Sequence, residues 1–434
     1  MNNIRKNYVN QHILAKGVTT CTDTWESGIN NNVLIFGPSG AGKTRHYVKP
    51  NILGAHESLI VSDTKGNLYN ELGPQLERRG YEVKAINFND FKSGCGYNPL
   101  DYIRYDEEND MYNEQDIISL SCSLVPVSIK NDPYWDLAAR QYLEVLIGYV
   151  LEALPKEEHT LEYVVKTLHM MGSREFDNLM AELEMLNPNG TTAIRYKSVR
   201  GIANAEKMDA SIKGILSTNL DTLSFNDALA LYKKRDRVNF EELGVKKTAI
   251  FLTISDTDRS MDKLANAFVT QALQSLCRSA DKKYADNRLP VPVRFYLDDF
   301  ATNMVIPDFD KIISVIRSRE IYVSIILQSV TQLDSLYGAE RAKTIINNCD
   351  QMLYLGGQDL DTARLISEKS NQPLHRILAM PLNKAYLFIR GQEAQLTEKY
   401  EITDDCQSDK STSCKAIQGS ADYDVIDYDE SYPF

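Results

Sequence analysis

The sequence predicts an α/β protein in which a mostly parallel sheet is interrupted by an all-helical segment. Three observations support this prediction: short apolar runs recur along the chain, helical patterns separate these runs, and the middle of the chain shows helical patterns alone. Strands buried on both faces of a parallel sheet have this nearly continuous apolar composition. Alternation of such strands with helices is typical of α/β folds.

The predicted strands lie on both sides of the helical segment and divide the chain into three regions. Eight strands are predicted, at Asn32–Phe36, Ser58–Asp63, Tyr81–Phe88, Lys247–Ile254, Val293–Leu297, Ile321–Leu327, Gln351–Leu355 and Ala385–Ile389. We expect residues 1–105 and 236–403 to form one discontinuous α/β domain. Residues 106–235 are predicted to form an all-α insertion domain, and residues 404–434 a polar, acidic and disordered tail.

The main helix of the insertion is predicted to begin at Asp132, which is followed by Pro133. Aspartate is a favoured N-cap residue, and proline is favoured at the first helical position. Apolar residues then recur at three- and four-residue spacing from Trp135 to Ala153. This spacing predicts a helix with one buried face.

The charge distribution limits how this protein can meet nucleic acid. The formal net charge is −12, and residues 401–434 alone carry nine acidic residues against two lysines, which leaves about −5 for the rest of the chain. A protein that coats DNA with its whole surface carries the opposite charge. Any nucleic-acid site must therefore be local and basic.

Cysteine usage and hydropathy favour a cytoplasmic protein without a membrane span of its own. The seven cysteines are scattered without a C-x-x-C pair, and the six histidines do not cluster, so we expect reduced thiols and no structural zinc. The start of the chain has no long apolar stretch typical of a signal peptide. The most apolar helical stretch, Tyr142–Leu154, is too short to cross a membrane and contains two glutamates.

The strongest motif has the form G-x-x-x-x-G-K-[ST] and directly follows the first predicted strand. It consists of Gly37, Pro38, Ser39, Gly40, Ala41, Gly42, Lys43 and Thr44, and a helix is predicted from Arg45 that Pro50 should end or kink. Glycines let successive backbone N–H groups cradle a phosphate at a helix N-terminus. Residues 37–45 are therefore predicted to bind ATP, with Lys43 on the β- and γ-phosphates and Thr44 on Mg²⁺. The alternative is a glycine-rich turn with a surface lysine.

A pair of acidic residues ends the predicted strand Val293–Leu297. We expect Asp298 to lie in the Mg²⁺ shell and Asp299 to face the attacking water, because phosphoryl transfer needs both positions. The alternative is an aspartate-rich first turn of a helix.

Two further elements complete the predicted catalytic set. Gln328 ends the next strand, where RecA-like ATPases carry a polar residue that senses the γ-phosphate; the alternative is that it only caps the strand. Arg317 and Arg319 lie between the two strands. Either is a candidate for an arginine supplied to the nucleotide of a neighbouring subunit, and the alternative is a solvated helix end.

Beyond the phosphate motif, the sequence resembles the TraG/TraD-type coupling proteins of type IV secretion and conjugation. The resemblance covers about Val33 to Tyr400 in consistent order. The segments that carry it are GPSGAGKT, SDTKGNLY (Ser62–Tyr69), GYEVKAINF…GYNPL (Gly80–Leu100), DPYWDLAARQYLEVLIGYVLEAL, LDDFATNMVIPDF…IRSREIYVSIILQSVTQLDSLYG (Leu297–Gly338), INNCDQMLYLGGQD (Ile346–Asp359) and LFIRGQEA…EKY (Leu387–Tyr400).

The resemblance implies a RecA-like, FtsK-related motor that hydrolyses ATP with Mg²⁺ and forms a hexameric ring. It implies that DNA, with its attached relaxase, is passed to the proteins of a secretion channel. On the family pattern, Lys43 and Thr44 fall on the phosphate loop and Asp298 on the magnesium carboxylate. Arg317 falls on the trans arginine finger and Gln328 on the phosphate sensor. Asp63 and Lys65 match the family's Asp-x-Lys-Gly element, for which one interpretation is a structural role.

Two departures from the family pattern bear on function. Members usually carry glutamate at the position of Asp299, and one methylene less shortens the reach by roughly 1–1.5 Å. Hydrolysis is then expected to be slower, unless the backbone shifts. Members also usually begin with a pair of membrane helices, so we expect this version to be soluble or recruited to the membrane by a partner.

Basic residues accumulate in the second half of the insertion, which in the family faces the entrance of the ring. They are Arg195, Lys197, Arg200, Lys207, Lys213, Lys233, Lys234, Arg235 and Arg237. This segment is a candidate DNA-contact surface, and the alternative is a solvated helix face of mixed charge. A ring with an acidic exterior and a basic lumen would reconcile the net charge with a DNA substrate.

Three functions are compatible with these patterns. The leading hypothesis is an ATP-driven translocase for conjugative DNA transfer. The alternative is a nucleotide-gated docking adaptor that recruits cargo protein with little or no translocation. The third, a motor for chromosome segregation or genome packaging, is disfavoured by the coupling-protein segments outside the phosphate motif.

Overall fold

A nine-stranded sheet forms the centre of the molecule. The computed structural model describes residues 11–127, 132–188, 190–203, 206–300 and 305–402, so the predicted acidic tail lies outside the described residues. The strands are β1 (Gln11–Ala15), β2 (Val18–Cys21), β3 (Val33–Phe36), β4 (Ser58–Asp63), β5 (Glu82–Asn87), β6 (Tyr105–Asp106), β7 (Met111–Tyr112), β8 (Thr248–Thr253), β9 (Val293–Leu297), β10 (Ile321–Leu327), β11 (Gln351–Tyr354), β12 (Lys384–Ile389) and β13 (Gln395–Glu398).

The sheet is mostly parallel, as the apolar runs predict. Its order is β13-β12-β11-β3-β10-β9-β4-β8-β5, and within it only the pairings β11–β12 and β12–β13 are antiparallel. Every residue of β3, β4, β8, β9 and β10 is buried. Leu327 of β10 lies opposite Phe36 of β3, so the carboxyl ends of neighbouring strands meet along one edge. In parallel sheets this edge is where ligands bind.

Helices cover the sheet and fill the segment between β7 and β8. The α-helices are Thr24–Ser27, Lys49–Gly54, Asn67–Arg78, Glu114–Leu124, Pro133–Ala153, Leu161–Met170, Arg174–Leu186, Thr191–Ala203, Glu206–Leu220, Asn226–Lys233, Phe240–Leu243, Asp262–Lys283, Phe309–Val315, Val330–Tyr337, Ala339–Asn347, Leu360–Ser370 and Leu374–Leu378. Short 3₁₀ turns lie at Pro99–Tyr102, Lys156–Glu158, Asp221–Ser224 and Ile316–Arg319, and a π-helical turn at Thr44–Val48. In the described residues, no helix is both long enough and apolar enough to span a bilayer.

The helix Pro133–Ala153 is the central helix of the insertion. The Asp132 side chain accepts the N–H of Tyr134, which is the N-cap bond that the sequence predicts. Every residue from Tyr142 to Leu151 is buried, so the prediction of one buried face is wrong for this part of the helix, which is enclosed on all sides; Ala153 at its end is exposed. The helical apolar core is continuous with that of the sheet. The division into two domains therefore stays a prediction.

The helix after the phosphate motif differs from the predicted one. Pro50 does not end it: the helix begins as a π-turn over Thr44–Val48 and continues as α-helix over Lys49–Gly54. The N–H of Lys49 donates to the Thr44 carbonyl, five residues back. Proline is tolerated in the first turn of an α-helix because its missing N–H is not needed there. The change of helix type at Lys49 puts Pro50 in that position.

An N-terminal hairpin, β1–β2, is fastened to this helix. The Asn51 side chain accepts the N–H of Ile13 at 2.8 Å and donates to the Ile13 carbonyl at 2.8 Å, as a neighbouring strand would. His12 Nε2 lies 2.7 Å from the Tyr47 hydroxyl, and burial lowers the pKa of this histidine well below its ordinary value. The hairpin therefore fixes the position of the helix that carries the end of the phosphate motif.

A buried ion pair lies under the same helix. Arg294 of β9 is 0% exposed and pairs with Glu57, which precedes β4. Arg294 also donates to the Asn31 carbonyl at 2.8 Å. A charge without water is tolerated only when it is paired and hydrogen-bonded. This pair therefore ties together the starts of the strands that lead to the candidate site.

Candidate nucleotide-binding site

The phosphate motif forms a tight loop between β3 and the π-turn. The Gly37 N–H donates to the Leu327 carbonyl at 3.0 Å, which extends the pairing of β3 with β10. Gly40 and Gly42 have φ values of 80° and 87°, which side chains rarely allow. A Cβ on Gly42 would lie 2.2 Å from Cδ2 of His46. Only glycine fits this position.

The ammonium group of Lys43 is turned back over this loop. The side chain is buried, and Nζ donates to the Gly37 carbonyl at 2.9 Å and to the Pro38 carbonyl at 3.4 Å. Nζ also lies 3.8 Å from Oδ1 of Asp299. The loop carries a positive charge at its centre, where the motif predicts that a phosphate binds. Ser39 and Arg45, by contrast, are exposed.

Thr44 and Asp298 bring a hydroxyl and a carboxylate together. The Thr44 hydroxyl donates to Oδ2 of Asp298 at 2.8 Å, across 254 residues of sequence. In the part of the chain that the structure describes, no cluster of three or more His, Cys, Asp or Glu side chains forms a metal site. Mg²⁺ commonly uses one or two protein oxygens and takes its remaining ligands from phosphate and water. The donor set at Thr44 and Asp298 fits this pattern.

Ser62, at the end of β4, fixes the backbone of Asp298. Its Oγ accepts the Asp298 N–H at 2.7 Å, and the hydroxyl lies 3.0 Å from the Asp298 carbonyl. The hydroxyl is also within 3.2 Å of the Tyr296 carbonyl. Sequence reasoning missed this serine, although it opens the segment SDTKGNLY that carries part of the family resemblance. Its place beside Asp298 follows from the pairing of β4 with β9.

Burial and a neighbouring negative charge act on Asp298. The side chain is 9% exposed, and burial, followed by repulsion from Asp299, raises the pKa of Asp298 above its ordinary value. Both causes disfavour the ionised form. A cation bound at this carboxylate would oppose both effects.

Asp299 adopts a strained backbone conformation. Its φ is 48°, in the left-handed region that only a few residue types tolerate. Its N–H donates to Oδ1 of Asp298 at 3.0 Å. Its own Oδ1 is buried and accepts no hydrogen bond from any residue in the described ranges. This oxygen, which lies near Lys43 but has no hydrogen-bond donor, is a position where a bound group would find an acceptor.

Gln328 lies at the end of β10, on the same edge of the sheet. Its N–H donates to the side-chain oxygen of Gln332 at 2.9 Å. With Pro38 of the phosphate loop and Tyr354 of β11, it lines a cavity of about 280 Å³. The structure therefore brings Gln328 and the phosphate loop to one cavity.

Arg317 lies at the amino end of β10, whereas the other predicted site residues lie at the carboxyl ends of the parallel strands. It precedes β10, whose seven residues span roughly 20 Å. Its Nη2 donates to the Thr24 carbonyl at 3.2 Å, and it pairs with no carboxylate within the described part of the chain. Arg319 instead binds both carboxylate oxygens of Asp281, at 2.8 and 2.9 Å. Of the two candidates, Arg317 is the arginine without an acidic partner.

The Asp-x-Lys-Gly element has a local structural contact. Asp63 is buried, and its Oδ2 accepts the N–H of Tyr69 at 3.1 Å, in the first turn of the helix Asn67–Arg78. Lys65 is exposed. This contact supports the structural interpretation of Asp63.

Most of the basic residues predicted to contact DNA are paired with acids. Six of the nine form ion pairs: Arg195 with Glu114 and Glu144, Lys197 with Glu184, Arg200 with Asp177, Lys213 with Asp209, Lys233 with Glu162 and Arg237 with Asp101. Lys234 donates to backbone carbonyls. The positive field here is weaker than the count of bases suggests. The DNA-contact role of this segment stays a prediction.

Two residues after β13 contact the phosphate loop. Lys399 Nζ donates to the Ala41 carbonyl at 3.0 Å. The Tyr400 carbonyl lies 2.7 Å from Nδ1 of His46, the residue whose ring packs against Gly42. No sequence pattern pointed to these contacts, because they join residues more than 350 positions apart.

A family model and several solved structures match this chain. The family model described as type IV secretory system conjugative DNA transfer matches residues 2–371. No curated protein matches the chain. Among solved structures, the chain resembles the bacterial conjugative coupling protein TrwBdeltaN70 in complex with sulphate, with 17% identity, a TM-score of 0.66 and 90% of each chain covered.

Two further structures extend this likeness. Plasmid coupling protein TrwB in complex with the ATP analogue ADPNP has 17% identity and a TM-score of 0.65, over 90% of this chain and 89% of that chain. VirB4 of Thermoanaerobacter pseudethanolicus has 13% identity and a TM-score of 0.56, over 93% of this chain and 99% of that chain. At such identities the likeness bears on the fold, and it confirms the predicted RecA-like α/β class with its helical insertion. Because the family model spans most of the sequence, the chain belongs to the type IV secretory system conjugative DNA transfer family, as its resemblance to coupling proteins predicted.

Proposed function

We propose that this protein is a Mg²⁺-dependent ATPase that moves DNA, with its bound relaxase, into a type IV secretion channel. One observation carries the proposal: Thr44 and Asp298 meet at 2.8 Å while Lys43 and Asp299 meet at 3.8 Å. These are the four groups that phosphoryl transfer on a phosphate loop requires. The structures of TrwB in complex with ADPNP and with ADP and Mg²⁺ support ATP and Mg²⁺ as the ligands.

The residues of the loop have distinct roles in this proposal. Lys43 exchanges its contacts with the Gly37 and Pro38 carbonyls for the β- and γ-phosphates. The loop N–H groups bind the same phosphates, and residues 37–45 enclose them. Thr44 and Asp298 hold Mg²⁺, which when bound neutralises charge on the phosphate oxygens.

Asp299 orients the attacking water and accepts its proton. The family's usual glutamate is one methylene longer, which raised the question of whether this aspartate reaches far enough. Its left-handed backbone and its 3.8 Å approach to Lys43 support the view that it does. Gln328, at the cavity shared with Pro38, is proposed to sense the γ-phosphate.

In this proposal, an arginine from a neighbouring subunit offsets the negative charge of the transition state. Arg317 is separated from the phosphate loop by the length of β10, roughly 20 Å, and has no acidic partner in the described chain. We therefore propose that it serves the nucleotide of the next subunit in a homo-oligomeric, hexameric ring. The Thr24 carbonyl holds its guanidinium at 3.2 Å, ready for this contact.

The experiment measures ATP turnover with and without DNA at low salt and at concentrations that allow assembly. Wild-type turnover is expected to require Mg²⁺ and to rise with DNA, and Lys43→Ala should abolish it. Arg317→Ala should lower turnover while leaving nucleotide affinity unchanged. Its control is Arg319→Ala, which removes the ion pair with Asp281 and the hydrogen bond to the Val315 carbonyl. An ATP turnover rate that is the same with and without DNA under all these conditions would contradict the translocase role.

A second function is favoured by Asp299 and by the paired bases of the insertion. On this alternative the protein is a nucleotide-gated docking adaptor that recruits relaxase or other cargo and hydrolyses ATP slowly. It predicts that cargo is captured in the presence of ADPNP and that no DNA strand moves in the presence of ATP. Strand movement coupled to hydrolysis would exclude it.

A further inference from the structure

The phosphate loop is held from outside by the end of the described chain. We call Lys399 and Tyr400 the C-terminal strap. The strap follows β13, which is three strands away from β3 in the sheet. Even so, Lys399 donates to Ala41 at 3.0 Å, and the Tyr400 carbonyl lies 2.7 Å from His46 Nδ1. The two contacts fall on either side of Gly42.

The chemistry of Lys399 is unusual for a structural residue. Its side chain is 7% exposed, and burial lowers its pKa. It forms no ion pair with any carboxylate of the described residues, and its ammonium hydrogen-bonds a backbone carbonyl. A buried ammonium with a single neutral acceptor is costly. Such an arrangement is expected where the charge serves a ligand.

The contact with Ala41 controls the direction of the next N–H group. The Ala41 carbonyl and the Gly42 N–H belong to one planar, trans peptide unit, so they point in opposite directions. Because Lys399 holds the Ala41 carbonyl, the Gly42 N–H points away from Lys399. A cation on the carbonyl also polarises the unit and makes the N–H a stronger donor.

His46 restrains Gly42 through the next peptide unit, which joins Gly42 to Lys43. Its ring occupies the space that a side chain on Gly42 would need. Its backbone N–H donates to the Gly42 carbonyl at 2.7 Å. With Nδ1 on the Tyr400 carbonyl, the ring cannot turn away without breaking the contact to the strap. The strap and His46 therefore fix Gly42 together.

We propose that Lys399 is a positioning residue of the nucleotide site, which acts through the Ala41 carbonyl to aim the Gly42 N–H at a bound phosphate. The proposal rests on the proposed function, in that this loop binds a nucleotide. With this role for Lys399, the segment after β13, the outermost strand of the sheet, becomes part of the nucleotide site. Nucleotide binding and the order of the strap are then coupled in both directions.

The test compares the affinity of full-length variants for ADPNP with Mg²⁺ by calorimetry. Lys399→Met keeps a long apolar side chain but removes the donor and the charge, and is expected to weaken binding about tenfold. Lys399→Arg keeps both and should recover most of the affinity. Lys16→Met is the matched control, because Lys16 pairs with the neighbouring Glu398 at 2.7 Å and does not touch the loop.

A second readout separates positioning from a merely structural role. The Lys399 N–H donates to the Asn383 carbonyl at 2.9 Å, so hydrogen exchange reports on the strap. ADPNP should slow exchange of this amide in the wild type and not in Lys399→Met. The unfolding temperature of nucleotide-free Lys399→Met should equal or exceed that of the wild type, since a buried charge is removed.

The outcomes distinguish this inference from the proposed function. If the wild type binds no ADPNP, the proposed function fails. If the wild type binds it and Lys399→Met binds equally well, the positioning role is overturned. Weak binding that Lys399→Arg does not recover, with a lowered unfolding temperature in both variants, overturns it as well.

Discussion

Replacing Ser62 by alanine tests whether the end of β4 holds the magnesium carboxylate in place. In the wild type, Oγ of Ser62 accepts the Asp298 N–H at 2.7 Å in a buried setting. The Ser62→Ala variant leaves this N–H without an acceptor, and the Asp298 and Tyr296 carbonyls lose a donor. The change removes no charge and adds no atoms, so its effects arise from lost hydrogen bonds.

The size of the effect follows from these bonds. An orphaned buried N–H costs about 1–3 kcal/mol of unfolding free energy. At ~2.1 cal/mol/K of unfolding entropy per residue, a chain of this length loses about 1–3 °C of unfolding temperature. Misplacing a catalytic group by a fraction of an ångström costs further in rate, and we expect turnover to fall between about 10- and 100-fold. A tenfold fall equals about 1.4 kcal/mol of barrier.

Ser58→Ala is the matched control at the other end of the same strand. Ser58 is also buried, and its Oγ accepts the Thr248 N–H at 3.1 Å and donates to the Lys246 carbonyl at 2.9 Å. Calorimetric unfolding should show similar losses in the two variants. ATP turnover should fall only in Ser62→Ala. Equal turnover in the two variants would refute the reasoning, because stability alone would then explain both.

Three further predictions follow from the buried charges. Burial raises the folded-state pKa of Asp298, so the unfolding free energy falls as the pH rises above the ordinary carboxyl pKa of about 4. Asp298→Asn should therefore raise the unfolding temperature of the nucleotide-free protein at pH 7, flatten the pH dependence of its stability from pH 4 upward, and abolish Mg²⁺-dependent turnover. A lowered unfolding temperature would contradict this prediction. Asp299→Glu should preserve or raise ATP turnover, whereas a tenfold loss would show that Asp299 does not act on the attacking water. Glu57→Gln leaves Arg294 buried without its carboxylate and should cost about 3–5 kcal/mol in denaturant titrations; adding Arg294→Met should restore much of that loss, and a double variant no more stable than the single one would count against an uncompensated charge as the cause.

The strands of the central sheet were predictable because their environment is uniform. Ser58–Asp63, Val293–Leu297 and Ile321–Leu327 have the bounds predicted from their apolar runs. Residues buried on both faces need apolar side chains throughout, so the local sequence carries the information. Strands β1 and β2, which form a separate hairpin, and the edge strand β13 were missed because they are short and partly exposed. Their pairing depends on partners that are distant in the sequence.

The same distinction holds within the site. The phosphate loop and the Asp298–Asp299 pair could be predicted because each is a local pattern next to a strand. Ser62 and Lys399 carry no such pattern: their contacts span 236 and 358 residues. The basic segment shows the converse limit, because counting charges does not reveal that Arg195 pairs with Glu114 and Glu144 of other helices. Pairing in three dimensions decides what a cluster of charges does.

The π-turn after the phosphate loop contains one residue more than an α-helical turn would. A π-turn closes its hydrogen bond over five residues, whereas an α-turn closes over four, so Thr44–Val48 stores one residue more than a regular helix would. If the π-turn changed to α-helical geometry, this extra residue would join the phosphate loop and the helix Lys49–Gly54 would stay intact. The helix Lys49–Gly54 is anchored to β1, because the Asn51 side chain hydrogen-bonds both the N–H and the carbonyl of Ile13. Such a change would lengthen the phosphate loop by one residue while the helix behind it stays attached to β1.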